Sequence, residues 1–313
     1  MKCSAVPFES KYISIWDGFV ATCKNASFLF YTDYFTYHKE RFEDASLLVL
    51  DEKNAVVAIV PAHKNGSTIY THQGLTFGGI AIQQNCILED YEAIWQCLMQ
   101  YWKSNGIQQV VYKKIPLIYC SSCSDEDEFM LLKYGASVSQ ANLSSVLNLN
   151  QDLLLHRSRR GFQAKIQPEN YTIHQDEDWE QYWNLLTAHL EVKHHATPVH
   201  SIDEITKLKA AFPNNISLRT INIENKIAAG AVIYDFGQTV RSQYLATSDD
   251  GRKLGALDAL LVHLIKHEFV GKNWFDMGTS AGVHEEFNKG LLFQKEGFGA
   301  RPLICKIFQL NLL

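Results

Sequence analysis

The sequence predicts a mixed α/β fold of the α+β type, arranged as two tandem domains of similar design. Each half of the 313-residue chain reads in the same order: helix, antiparallel strands, helix, strand, helix, strand. Strands grouped in hairpin-like runs differ from the strict strand–helix alternation of a doubly wound fold. A repeated order of elements indicates a duplicated unit. With 46% hydrophobic residues, the chain can bury a core of substantial size.

In the first half, the strands break at Asn or Gly, as hairpins do, and the helices follow apolar periodicity. The longest helix has acidic residues at its start and Gly106 at its end, both typical helix boundaries. The predicted elements are a helix at 12–23, β-rich runs at 45–52, 54–66 and 67–82, a helix at 88–106, a strand at 108–116, a helix at 124–135 and a strand at 136–149.

The second half repeats this order. Its predicted elements are helices at 177–195 and 201–212, strands at 216–224, 226–237 and 239–249, a helix at 256–269, a strand at 273–278, a short helix within 283–297 and a strand at 300–310. The boundary falls within 147–165, where no Pro-rich or Gly/Ser-rich linker stands. We therefore expect an N-terminal domain at 1–150 and a C-terminal domain at 151–313.

Composition narrows the function classes. A formal net charge of −5 argues against a broad DNA- or RNA-binding surface. The apolar runs are shorter than the roughly 18 residues that a transmembrane helix needs, and the N-terminus lacks a signal-peptide pattern. Seven scattered cysteines, an odd number, are typical of reduced thiols. These features predict a cytoplasmic protein without a transmembrane segment.

A helix that follows the third antiparallel strand in each half resembles the arrangement of the GNAT superfamily of acetyltransferases. Several segments resemble its FemAB-like branch more specifically: "THQGLTFGG" at 71–79, "HATPVHSIDEITKLKAAFP" at 195–213, "AAGAVIYDFGQTVRSQYLATS" at 228–248, "FDMGTS" at 275–280 and "FNKGLLFQKEGFGARP" at 287–302. In that branch two such domains are fused and transfer an acyl or aminoacyl group to an amine. The resemblance covers most of the chain and implies two tandem acetyltransferase-like domains.

The resemblance implies a donor site at 251–259, "GRKLGALDA". In the superfamily, a loop patterned Gln/Arg-x-x-Gly-x-Gly/Ala faces the pyrophosphate of coenzyme A at a helix N-terminus, where free amides and the helix dipole favour anions. Arg252 and Gly255 fit this pattern, but Leu257 stands at the last small position. The predicted donor-binding residues are Leu245, Ala246, Gly251, Arg252, Lys253, Leu254, Gly255 and Ala256. A helix start with ordinary solvated cations is the alternative.

Four residues are the catalytic candidates. Lys295 is preferred, because the resemblance places its counterpart beside the transferred group, where a cation stabilises developing negative charge. Glu296 is either its salt-bridge partner or a base, and the alternative for both is a solvated helix end. Asp276 lies on the strand that forms the other lip of the cleft, with a buried loop-fixing role as the alternative. The resemblance also implies that backbone near Tyr244 meets the donor carbonyl.

The acceptor candidates are His195, His200, Arg160, Tyr37 and Lys39. Either histidine can orient or deprotonate an amine near neutral pH, and Arg160, within a cationic segment, can hold a phosphate through paired hydrogen bonds. The alternative for each histidine is an exposed surface position, and for Arg160 it is a solvated interdomain helix. For the aromatic segment that contains Tyr37 and Lys39, the alternative is core packing.

We predict no metal site. The histidines at 189, 194, 195 and 200 match no standard zinc spacing, and Cys120 and Cys123 form a lone pair without a second one.

These features predict a cytoplasmic N-acyltransferase with an acyl-CoA donor, such as acetyl-CoA, bound by the C-terminal domain. The resemblance implies that the acceptor is an amine of a cell-envelope or surface-polysaccharide precursor, for example a nucleotide-linked amino sugar. The acidic chain has no charged coiled-coil arm, which favours acyl-CoA over aminoacyl-tRNA. Two alternatives stay open: an aminoacyl-tRNA-dependent peptidoglycan-precursor aminoacyltransferase, and a non-catalytic scaffold on a degenerate acetyltransferase fold.

Overall fold

A computed structural model describes residues 1–37, 39–163, 168–194, 196–282 and 288–312. The chain divides into two compact units: unit 1 comprises Met1–Asn142 and Ile304–Leu313, and unit 2 comprises Leu143–Leu303. The chain therefore leaves unit 1 after Asn142 and returns to it for its last residues.

The secondary structure follows the predicted order, with additions. The strands are β1 (Cys3–Pro7), β2 (Glu43–Asp44), β3 (Leu47–Asp51), β4 (Val56–Val60), β5 (His63–Asn65), β6 (Thr68–Tyr70), β7 (Ala81–Ile82), β8 (Gln109–Lys113), β9 (Ser137–Asn148), β10 (Thr172–Gln175), β11 (Ile216–Ile223), β12 (Lys226–Asp235), β13 (Thr239–Thr247), β14 (Trp274–Gly282) and β15 (Arg301–Asn311). The α-helices are α1 (Ile13–Val20), α2 (Thr32–Phe35), α3 (Leu88–Ser104), α4 (Glu126–Lys133), α5 (Arg157–Gln163), α6 (Trp179–His194), α7 (Ile202–Ala211), α8 (Asp249–Leu254), α9 (Ala256–His263) and α10 (Lys289–Gly297). A π-helical turn, Leu264–Glu268, continues α9.

Unit 1 contains two runs of paired strands. One has the order β1-β3-β4-β7, and the other has the order β15-β8-β6-β5-β2. Strand β15 pairs antiparallel with β8, from Ile307 opposite Lys113 to Asn311 opposite Gln109. The core combines the apolar face of α3, including Trp95 and Trp102, with inward-facing strand residues such as Phe308. The final strand is thus part of the first unit's core.

Unit 2 is built on strands in the order β10-β11-β12-β13-β14, with β9 beside β14. The first four strands pair antiparallel, whereas β13 and β14 pair in parallel. The apolar residues of α9, among them Leu260 and Leu261, share a core cluster with Phe275 and Phe298. This packing fixes the start of α9 close to the end of β13.

The structure corrects the prediction of a loop between β13 and α9. Residues Asp249–Leu254 form α8, because Ser248 caps the helix by accepting a hydrogen bond from the Gly251 amide at 3.0 Å. Gly255 then takes a left-handed conformation, with φ of 77°, which ends α8 and begins α9. The donor motif is therefore a helix–glycine–helix turn.

Candidate functional site

Strands β13 and β14 diverge and form a fork, defined by residues 242–247 of β13 and 277–282 of β14. Within the described residues, their pairing covers Thr239–Trp274 to Arg241–Asp276 and ends there. The pairing of β13 with β12 shifts between Ser242 and Tyr244, so that Gln243 forms a β-bulge. A bulge bends its strand and increases the local twist, which turns β13 away from β14.

A buried polar cluster holds the base of the fork. Asp276 is 0% exposed and accepts hydrogen bonds from the Ser144 hydroxyl at 2.5 Å and from the Gly278 amide at 2.7 Å. Its second carboxylate oxygen pairs with the Arg241 guanidinium. These contacts match the alternative considered for Asp276, a buried carboxylate that fixes a loop. Ser144 and Arg241 did not stand out in the sequence.

Lys295 joins α10 to the β14 side of the fork. Its ammonium group donates to the carbonyls of Gly278 at 2.7 Å and Thr279 at 2.9 Å, and the residue is 4% exposed. Burial lowers the pKa of Lys295 to about 8, against the opposing effect of Asp276. Glu296 is exposed on the same helix. Among the ion pairs of the described residues, none joins Lys295 to Glu296, so the salt bridge, one of the two roles considered for Glu296, is not formed.

Tyr244 and His200 meet beside β13. The Tyr244 hydroxyl lies 2.6 Å from Nδ1 of His200, and the two rings are perpendicular. His200 is 4% exposed and Tyr244 is half-buried. Trp183 packs edge-on against Tyr244 from α6, and the Tyr182 hydroxyl donates to the Tyr244 carbonyl at 3.3 Å. Two residues that the sequence assigned to different roles therefore form one hydrogen-bonded pair. His195 lies outside the described residues.

A cavity of about 560 Å³ opens at the end of β13. Its described lining residues are Arg159, His189, Leu245, Thr247, Arg252, Gly255, Leu257, Asp258, Asn288, Gly290, Leu291 and Gln294. Helix α9 begins here without a side-chain cap, since its N-cap residue is Gly255. Uncapped amides in a first helical turn, together with the helix dipole, favour an anion. The cavity is therefore a candidate donor site.

The predicted donor residues divide into two groups. Leu245, Arg252 and Gly255 line the cavity. Ala246 and Ala256 are fully buried, while Lys253 is exposed and pairs with Asp250 at 2.9 Å.

The two remaining predicted donor residues are Leu254, at the surface, and Gly251, packed against β12. Leu254 is 40% exposed. Gly251 packs on β12 so closely that a Cβ atom there would lie 2.1 Å from the Ala228 carbonyl oxygen, so only glycine fits.

The cavity wall contains an ion pair that the sequence did not indicate. The Arg159 guanidinium donates to the Asp258 carboxylate at 2.8 Å, and each side chain is 10% exposed. Arg160, the predicted residue, is exposed on α5. The cationic segment itself was a usable signal, but the sequence of so short a helix does not show which arginine faces inward.

The predicted acceptor residues of the first half belong to unit 1. Tyr37 is half-buried and packs edge-on against Tyr34, with ring centroids 5.9 Å apart. The side chain of Lys39 lies outside the described residues. The acceptor role of both residues therefore stays a prediction.

The described part of the chain contains neither a metal-binding group of side chains nor a membrane-spanning helix. No group of three or more His, Cys, Asp or Glu side chains there is placed to hold a metal ion. Every described helix is too short or too polar to span a bilayer. Burial raises the pKa of the Cys120 thiol to about 12, which leaves that sulfur unreactive near neutral pH.

Neither a protein-family model nor a curated protein sequence matches the chain. Solved structures do match over nearly its whole length. FemX has 10% sequence identity and a TM-score of 0.68, covering 98% of this chain and 97% of FemX. L-PGS from Bacillus licheniformis has 12% identity and a TM-score of 0.60, covering 97% and 91%. A tandem GNAT protein from the clavulanic acid biosynthesis pathway has 11% identity and a TM-score of 0.53, covering 100% and 99%.

These similarities confirm the predicted fold class, two tandem acetyltransferase-like domains in a mixed α/β chain. At such low identity they show the fold alone.

Proposed function

We propose that the protein is an N-acyltransferase that moves an acyl group from an activated ester or thioester to an amine. One observation carries the proposal: the fork of β13 and β14 opens beside a cavity at the uncapped start of α9. The fork offers backbone donors to a carbonyl, and the cavity offers amides and cations to a phosphate of the donor.

The backbone of β13 supplies the proposed oxyanion contacts. Successive amides of a strand point to alternate sides, so those between Ser242 and Thr247 that do not face β12 face the fork. A donor carbonyl in the fork accepts a hydrogen bond from such an amide. This bond strengthens as negative charge develops on the oxygen, which lowers the barrier to attack.

The His200–Tyr244 pair is the proposed route for the proton. The neutral amine attacks the carbonyl carbon, a C–N bond forms, and the carbonyl π electrons move to the oxygen. The pair takes one proton from the nitrogen, since its 2.6 Å contact lets the two groups exchange a proton. Collapse of the tetrahedral species restores the C=O bond and breaks the bond to the leaving sulfur or oxygen, which receives the proton.

Lys295 is proposed to act from the β14 side of the fork. Its bonds to the Gly278 and Thr279 carbonyls hold that strand in place, and its positive charge favours negative charge developing nearby. Asp276 and Arg241 fix the point where the strands part. In this proposal Asp276 is a positioning residue, and Glu296, exposed on α10, has no role in the reaction.

Two donors fit the cavity in chemical class. Arg252 in α8 and Gly255 at the start of α9 support acyl-CoA, the donor favoured by the sequence. Leu257, which fills space where the superfamily motif has a small residue, supports an aminoacyl-tRNA instead. The proposed acceptor is an amine of a cell-envelope or surface-polysaccharide precursor, such as a nucleotide-linked amino sugar.

A donor screen tests the proposal. Purified protein is incubated with acetyl-CoA or aminoacyl-tRNA and with candidate UDP-amino sugars. Mass spectrometry then detects the acylated products by their increase in mass. We expect one donor to transfer its acyl group and to raise the melting temperature of the protein. A chain that binds none of the donors and transfers no acyl group would instead be a scaffold.

A further inference from the structure

We infer that Asp258 determines the charge that the donor cavity accepts, and that it selects against a diphosphate in favour of a singly charged anion. This inference rests on the proposed donor cavity and adds the charge of its ligand: of the two donors proposed above, it disfavours coenzyme A, which carries a pyrophosphate, relative to a nucleic acid, whose phosphodiesters each carry one negative charge.

Asp258 stands where an anionic ligand would bind. It is the third residue of α9, within the first turn, and its side chain lines the cavity. A carboxylate in the first turn already interacts favourably with the helix dipole and its amides. A phosphate at the same helix start must therefore share these positive partial charges with Asp258.

Asp258 also pairs with Arg159, the more deeply buried of the two arginines that line the cavity. Arg159 is 10% exposed and donates to Asp258 at 2.8 Å. Its stem is held in place, because a Cβ atom on Gly297 would lie 3.0 Å from the Arg159 Cγ atom. Arg159 cannot therefore turn freely toward a ligand while the carboxylate holds it.

The net charge of the cavity lining favours a ligand with a single negative charge. Among the described lining residues, Arg159, Arg252 and Asp258 carry formal charges, which leaves one net positive charge. The side chain of Arg252 is 44% exposed and lies 3.4 Å from Asp249, so solvent and its neighbour weaken its field. The single negative charge of a phosphodiester equals the net positive charge of the lining. A diphosphate carries more negative charge than that and brings the excess close to the buried carboxylate of Asp258.

The test compares ADP with cyclic AMP, which present adenosine with a diphosphate or with a singly charged phosphodiester. Binding to the full chain is measured by isothermal titration calorimetry. In Asp258→Asn, the amide keeps the shape of the side chain and can still accept from Arg159, but the negative charge is gone. We expect Asp258→Asn to bind ADP at least about tenfold more tightly than the unmodified protein does. The affinity for cyclic AMP should change by less than about threefold.

Asp250→Asn is the matched control, because Asp250 is an exposed acid of α8, 88% exposed, outside the cavity lining. Asp258→Ser, whose hydroxyl suits a first helical turn, serves if the Asn variant does not fold. Unchanged, weaker or unmeasurable ADP binding in the folded Asp258 variant overturns the inference, as does an equal gain in Asp250→Asn. Because binding is measured without turnover, a failure of acyl transfer would be seen separately in the donor screen.

Discussion

Replacing Tyr244 with Phe removes a single hydroxyl and with it the 2.6 Å contact to His200. If this pair carries the proton, kcat should fall about 100-fold or more, while the KM for the donor stays within about threefold. Steady-state kinetics with the donor found in the screen measures both values. His174→Ala is the control, since this histidine is partly exposed on β10 and pairs with Glu177. An unchanged kcat in Tyr244→Phe would remove the pair from the mechanism.

Lys295 makes stability depend on pH in an alkaline window. Its pKa is about 8 in the folded protein and 10.5 when unperturbed, so the unfolded chain binds more protons between these values. Stability therefore rises with pH across this window, and the full cost of burying the charge is present below pH 8. Between pH 8 and 9 we expect a gain of about 1 kcal/mol that is absent in Lys295→Met.

Urea unfolding of the two proteins at pH 8 and pH 9 measures this difference. The control is Lys226→Met, because Lys226 is exposed at the start of β12. A pH response of equal size in Lys295→Met would show that Lys295 is not its source.

At the scale of single residues, the sequence indicated Lys295, Tyr244 and His200 as site residues, but not how they are paired. Long-range contacts such as Ser144 with Asp276 leave no local pattern, because the partners lie 132 positions apart. For a similar reason, the sequence does not show that Arg159, in the same cationic segment as Arg160, lies in the cavity wall. Which side of α5 faces inward depends on Asp258 and α9, and these are far along the chain.

Helix α8 depends on one glycine. A methyl group at position 251 would lie 2.1 Å from the Ala228 carbonyl oxygen, so Gly251→Ala must push α8 away from β12. We expect a loss of about 1–3 kcal/mol in stability, together with weaker donor binding, because Arg252 and Gly255 move with the helix. Thermal melting and calorimetric titration measure the two effects.

Gly161→Ala is the matched control in the same unit. Gly161 lies in α5 with open space around its Cα atom, so alanine should stabilise the helix by about 0.5–1 kcal/mol. Equal melting temperatures for Gly251→Ala and the unmodified protein would show that α8 can shift at no cost.

At the scale of elements, long periodic segments were predictable and short ones were not. The predicted helix at 88–106 corresponds to α3, and the strands at 216–224, 226–237 and 239–249 correspond to β11, β12 and β13. Strands β1 and β10 were missed, since each is formed by pairing with a strand that follows much later. Helix α8 was missed because its glycine and charged residues are equally typical of a loop.

The whole molecule depends on β15 for the completion of unit 1. Phe308 is 0% exposed within the unit 1 core, so Phe308→Ala should destabilise this unit by about 3–5 kcal/mol. Hydrogen exchange measured by mass spectrometry should show faster exchange in β8 and β15. Phe129→Ala, at a position 54% exposed in α4, is the control. Unchanged exchange in β8 would show that β15 is dispensable there.

The duplicated order of elements was enough to predict two similar domains, because it is a property of each half alone. The return of the chain to unit 1 was not predictable in the same way. The residues of β15 continue the pattern of the second half. Their pairing with β8 and their core packing place those from Ile304 onward in the first unit. Such pairing depends on contacts that a local pattern does not contain.

The interruption of unit 1 imposes an order on biosynthesis. A ribosome translates Met1–Asn142 first, then the whole of unit 2, and only afterwards the residues that complete the earlier unit. Until β15 is made, the edge of β8 that pairs with it stays unpaired, and an unpaired strand edge favours aggregation. For the same reason, a recombinant fragment cut at position 142 would lack its own last strand.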